Sequence, residues 1–174
     1  MIGRALGGEA SAFGLLYDKY IEKIFRFILV KVGGQREEAE DLTHQVFVKA
    51  WEEVRRGAYS EKGYPFGSWL YRIARNLVID HWRRLRITVD LDESATDLAA
   101  SEPELGERLD RNQDALALVR AIHRLKDIEQ DVLLLRFTEE LPVKAVAEAL
   151  GKTEGAVKLI QHRAIGKLRA MLKP

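Results

Sequence analysis

Apolar residues recur at helical spacing along almost the whole chain. From residue 11 to 31, Phe13, Leu16, Tyr17, Tyr20, Ile24, Phe27 and Ile28 fall at spacings of three and four, with Lys31 closing the series and Gly33-Gly34 ending the helix. A second helix is expected from about Arg36. Glu37, Glu38, Glu40 and Asp41 sit in or near its first turn, where the helix dipole favours negative charge. Leu42, Val46, Phe47, Ala50, Trp51 and Val54 point inward, and Gly57 stops it. Residues 57–68 hold three glycines and Pro65 and read as a loop, with Ser68 capping the next helix. That helix, 69–86, carries Leu70, Ile73, Leu77 and His81 near one face and Arg72, Arg75, Asn76, Arg83 and Arg86 on another. One side packs and the other is a cationic ridge. No stretch alternates long enough to argue a strand.

The second half predicts four shorter helices, 115–125, 128–138, 143–150 and 154–172, punctuated by Asp127, Pro142 and Gly151-Lys152-Thr153. Pro142 suits a first helical turn and Thr153 is an N-cap candidate. The last two helices, joined by a short turn with glycine, have a helix-turn-helix layout, with Ala147 small at their crossing and Val146, Leu150, Val157 and Ile160 as contacts. Between the two halves, residues 90–114 are acidic and aperiodic and include Pro103 and Gly106. Charge segregates accordingly, at +4 over residues 1–89, −7 over 90–114 and +4 over 115–174. A length of 174 residues accommodates two small domains. The expected fold is all-α, with helical domains at 1–88 and 115–174 joined by an acidic flexible linker at 89–114.

Composition removes several function classes. The absence of cysteine excludes a disulfide framework, a thiolate metal site and a cysteine nucleophile. No apolar run approaches the ~20 residues of a membrane span and the N-terminus lacks a secretory h-region, so a soluble, cytoplasmic protein with no membrane insertion is expected. His44, His81, His123 and His162 are scattered, none in a metal-binding spacing such as H-E-x-x-H, and no glycine loop has the form of a phosphate cradle. No catalytic residue, metal or cofactor is expected, and the chain does not read as an enzyme.

Binding chemistry is better supported. If the last helix enters a major groove, its first two turns offer Glu154, Lys158, Leu159, His162 and Arg163 to base edges, with Lys158, His162 and Arg163 opposite Val157, Ile160 and Ala164. Arg163 suits bidentate reading of guanine, while Lys167 and Arg169 suit phosphates. Around the central loop, Tyr59, Tyr64, Phe66 and Trp69 lie beside Arg72, Arg75 and Asn76. Ring faces stack unpaired bases at about 1–3 kcal/mol each, so this mixture suits single-stranded nucleic acid, provided that the rings are accessible. Core packing is the competing use for Phe66 and Trp69, which flank a helix start, and above all for Phe66; Tyr59 and Tyr64, on a glycine-rich loop, are harder to assign to packing.

The order of these motifs resembles the bacterial RNA polymerase sigma factors of the extracytoplasmic-function (ECF) subfamily. Ala12-Phe13 with Leu16-Tyr17 and Tyr20, the run from Ala39-Glu40-Asp41-Leu42 to Phe47 with Trp51, and the run from Phe66-Gly67-Ser68-Trp69 to Asn76 with Ile79-Asp80-His81 are similar to the family's region two. Glu129-Gln130 with Val132 to Arg136, Ala147-Glu148-Ala149-Leu150-Gly151 and Gly155-Ala156-Val157-Lys158 resemble region four. The resemblance implies that Asp41, His44, Gln45 and Val48 dock on the clamp helices of the largest polymerase subunit and that region four meets the flap. It implies that Tyr59 and Asn76 hold a flipped base of the minus-10 element, a base whose extrusion costs a few kcal/mol. Tyr64, Trp69, Arg72, Arg75 and Arg83 would support the melted strands, and Glu154, Lys158, Leu159, His162, Arg163 and Lys167 would face minus-35 DNA. Core polymerase, promoter DNA and an anti-sigma factor are the implied partners.

A linker of this length spans roughly 29 Å as a relaxed coil and at most about 90 Å extended, whereas DNA elements two turns apart are on the order of 70 Å distant. A scaffold that stretches it would raise joint affinity through effective concentration. The competing readings are a homodimeric helix-turn-helix regulator that acts without polymerase, which leaves residues 59–86 without a purpose, and a helical interaction adaptor.

Overall fold

The computed structural model describes residues 10–59, 65–91 and 113–172. Tyr64 and nearly all of the expected linker lie outside the described residues. The described residues are helical with no strand, and the chain divides into two compact units, Met1–Glu104 and Leu105–Pro174.

The first unit is built from α1 (Ala10–Lys31), α2 (Arg36–Arg55) and α3 (Phe66–Leu91), each packed on the other two. Their apolar stripes meet in a core where Ile24, Phe27, Ile28, Val46, Ala50, Leu70 and Ala74 are fully buried. The Phe27 and Tyr71 rings meet edge-on at 5.5 Å, and Trp82 Nε1 donates to the Lys31 carbonyl at 3.3 Å, tying α3 to the end of α1.

Two expectations about α3 are corrected. It begins at Phe66, directly after Pro65, whose carbonyl accepts from Trp69 N–H at 3.1 Å. Ser68 therefore lies inside the helix, buried, and its hydroxyl caps nothing. Tertiary packing explains the early start. Phe66 is drawn into a cluster with Tyr20, Tyr59 and Trp69 at centroid distances of 5.7, 5.6 and 5.3 Å. Gly67 has no side chain to obstruct this, because a Cβ there would meet the Tyr20 ring at 3.1 Å. The helix also runs to Leu91, beyond the expected end at 86.

The second unit contains α4 (Gln113–His123), α5 (Asp127–Leu133), α6 (Val143–Leu150) and α7 (Glu154–Met171). Val132, Leu135, Val146, Ala149, Val157 and Ala164 form its buried interior, with Leu125 and Leu133 against Ala164 and with Ile165 and Leu168 beside them. The expected single helix at 128–138 is instead α5 followed by a π-helical turn, Leu134–Thr138, in which Glu139 N–H reaches back to the Leu134 carbonyl at 3.1 Å. Such turns often mark functional positions. This one brings Arg136 toward α7.

Candidate nucleic-acid interface

The turn before α7 is held by two local devices that the sequence signals. Gly151 adopts left-handed backbone (φ 61°), letting Lys152 N–H donate to the Ala147 carbonyl at 2.9 Å and close α6. Thr153 is extended, and its Oγ1 accepts from Ala156 N–H at 3.2 Å, which caps α7. With its start pinned, α7 buries Val157 and Ala164 completely. Glu154, Lys158, Leu159, His162 and Arg163 stand exposed, and Leu159 keeps 49% of its surface in solvent. No hydrogen bond or ion pair among the described residues engages Lys158, His162 or Arg163.

Lys167, expected to meet phosphate, is engaged within the unit. Its Nζ lies 2.6 and 2.9 Å from the two carboxylate oxygens of Glu129, a buried residue on α5. Burial by itself raises the Glu129 pKa, but hydrogen bonds from Lys167 and from Lys126 N–H, with the charges of both lysines, outweigh it and hold the carboxyl below its ordinary value. Arg136 makes a second tie to α7. Its Nε donates to Gln161 Oε1 at 3.2 Å and its guanidinium also donates to the Leu141 carbonyl.

In the first unit the rings expected to stack bases are largely internal. Tyr59 is 5% exposed and Trp69 4%, with their centroids 4.6 Å apart and Phe66 against both. The expectation that Tyr59 and Trp69 present open faces is therefore corrected: the apolar surface of each ring is consumed in bracing the start of α3. Arg72 and Asn76, one turn apart, are exposed on α3, and Arg75 is half-buried beside them. Arg83 lies 3.5 Å from Asp80, an exposed pair of little energetic weight.

On α2, Asp41, His44, Gln45 and Val48 all face solvent. Beside them runs an apolar groove of about 250 Å³ between α1 and α2, lined by Phe13, Tyr17, His44, Phe47, Val48 and Trp51. The apolar stripe of α1 includes Tyr17, yet this residue is 38% exposed, its ring edge resting on Phe47 at 4.7 Å. Spacing alone does not decide which neighbour is sealed. Leu15, Leu16 and Tyr17 are consecutive, and a helix turns three consecutive residues to different sides; only Leu16 is buried, while Leu15 is 53% exposed.

Comparison with known proteins places these faces in a family. Residues 16–87 match the family model for sigma-70 region 2, and residues 121–170 match that for sigma-70 region 4. The chain belongs to the sigma-70 family of RNA polymerase sigma factors, in its ECF group. It is 38% identical to the ECF sigma factor BldN of Streptomyces coelicolor over 99% of this chain, and spans 64% of that relative's length. It is 32% identical to the sigma factor YlaC of Bacillus subtilis, covering 86% of this chain and 85% of the relative. The sigma factor fold is shared with RpoE of Bartonella quintana, solved in complex with the anti-sigma factor NepR, at a TM-score of 0.73 and 19% identity over 94% of this chain and 98% of that one.

Proposed function

We propose that this sigma factor binds core RNA polymerase and directs it to promoters, with α7 reading minus-35 duplex and α3 holding melted minus-10 DNA. The observation that carries the reading is the solvent face of α7, where Lys158, Leu159, His162 and Arg163 stand opposite the sealed Val157 and Ala164 with no partner among the described residues. Cations left unpaired over the first turns of a capped helix are what a major groove requires, and Arg163 is the candidate for bidentate contact with guanine.

Along α3, Arg72 and Asn76 contact the displaced strand, with Arg75 and Arg83 supporting it electrostatically. Tyr59 and Trp69 fix the helix that carries them, and Tyr64 keeps the expected stacking role. Asp41, His44, Gln45 and Val48 dock on the clamp helices of the largest subunit, and the neighbouring apolar groove extends that contact. Region four meets the flap. By analogy with the Bartonella relative, an anti-sigma factor covers the exposed apolar residues when the protein is idle. The protein acts in the cytoplasm, where the polymerase works, and we assign it no catalytic group, metal or cofactor.

The test is reconstituted transcription: core polymerase, this chain and a pool of genomic fragments should yield transcripts with discrete start sites that disappear when the chain is omitted. Absence of such transcripts, together with failure of the chain to co-purify with core polymerase, overturns the proposal.

A further inference from the structure

We infer that the Glu129–Lys167 and Arg136–Gln161 pairs are two struts that set the roll of α7 about its own axis, and that Lys167 acts on promoter affinity through this positioning and not as a phosphate contact. The inference rests on the reading of α7 as the DNA helix. Apolar contacts along Val157, Ala164 and Leu168 hold α7 against the unit, but they are non-directional and fix its roll less sharply than hydrogen bonds do. The struts are directional. Glu129 accepts Lys126 N–H at 3.1 Å at the start of α5 and Lys167 Nζ at 2.6 and 2.9 Å, so one buried carboxylate joins the first turn of α5 to α7. Arg136, on the π-helical turn, joins the Leu141 carbonyl, just before α6, to Gln161 of α7.

Gln161 and Lys167 are about 9 Å apart along α7 and about 120° apart around it, and they straddle the apolar stripe. Ties on both flanks resist roll in either direction. Roll matters because the side-chain heads opposite the stripe sit some 6 Å from the axis, so a turn of about 10° moves them about 1 Å, wider than the whole distance window of a hydrogen bond. The charge of Lys167 is already met by Glu129, which leaves little of it to neutralise DNA.

The experiment uses the full chain bound to core polymerase and duplexes selected by that complex from a pool randomised over the upstream element. Affinity is measured across a salt series for Lys167→Met, Lys167→Arg, Glu129→Gln and Arg163→Ala. Lys167→Met and Glu129→Gln are each expected to weaken binding about tenfold, the order of one lost bidentate base contact, with the slope of log K against log salt unchanged and Lys167→Arg near wild type. A phosphate contact behaves oppositely: Lys167→Met would lower the slope by about 0.9, and Glu129→Gln, which frees the lysine, would strengthen binding. That pattern overturns the inference, as does wild-type affinity in both variants. Circular dichroism at the assay temperature establishes folding, and if Lys167→Met is unfolded, the contrast of Lys167→Arg with Glu129→Gln decides the same question. Arg163→Ala leaves both struts intact. If it alone has no effect, the assignment of α7 to DNA fails, which is distinct from failure of the struts.

Discussion

Trp69 and Arg72 lie one turn apart on α3 but have opposite fates, the first buried beside Tyr59 and Phe66 and the second in solvent. Their substitution separates fold from function. Trp69→Ala should cost about 3–5 kcal/mol of stability, read as a lowered urea midpoint of the first unit's transition. Arg72→Ala should cost under about 1 kcal/mol and reduce promoter opening, read by permanganate reactivity of unpaired thymines in the polymerase complex. Equal loss of stability in both would return Arg72 to a structural role. At Glu129 the prediction is one of pH. The folded carboxyl lies below its ordinary value of 4.5, so the ion pair contributes stability that is fully present above that value and is lost as pH falls through the lower, folded value. The gap in melting temperature between wild type and Glu129→Gln should be wide at neutral pH and close in acid. A gap that persists below both values would mean that Glu129 acts through something other than its charge.

At the scale of the element, short segments carry most of the decisions. The turn from Gly151 to Thr153 aims α7, so Thr153→Ala should destabilise the second unit by about 1 kcal/mol through the lost N-cap and weaken duplex binding without changing the preferred sequence. Thermal unfolding and selection from a randomised pool measure the two effects, and a changed preference would show that Thr153 itself reads DNA. The helix at 128–138 was legible only as far as Leu133, because the same apolar spacing fits an α-helix and a π-helical turn. The wider turn carries Arg136, which bonds Gln161 and the Leu141 carbonyl, both remote in sequence from the start of the helix. The start of α3 likewise departs from the local signal, since Ser68 is a good cap locally and the burial of Phe66, worth roughly 1.5–3 kcal/mol, exceeds a cap of about 1.

For the whole molecule, two units that each carry a modest cationic face imply weak promoter binding by the free chain. Gel shifts should show little specific binding by the isolated protein at physiological salt and tight binding with core polymerase, because the scaffold supplies the effective concentration that the chain alone lacks. Specific, tight binding by the free protein would refute this division of labour. Helical periodicity, the glycine and threonine at the α6–α7 turn, the charge segregation and the ordered motifs made the all-α class, the family and the exposed face of α7 readable from sequence, since backbone geometry converts residue spacing directly into faces. Spacing does not say which of two facing surfaces another element covers. The burial of Tyr59 and Trp69, the solvent-facing Tyr17 in the α1–α2 groove and the engagement of Lys167 by Glu129 were decided only by tertiary structure, because each depends on side chains brought together from distant parts of the chain.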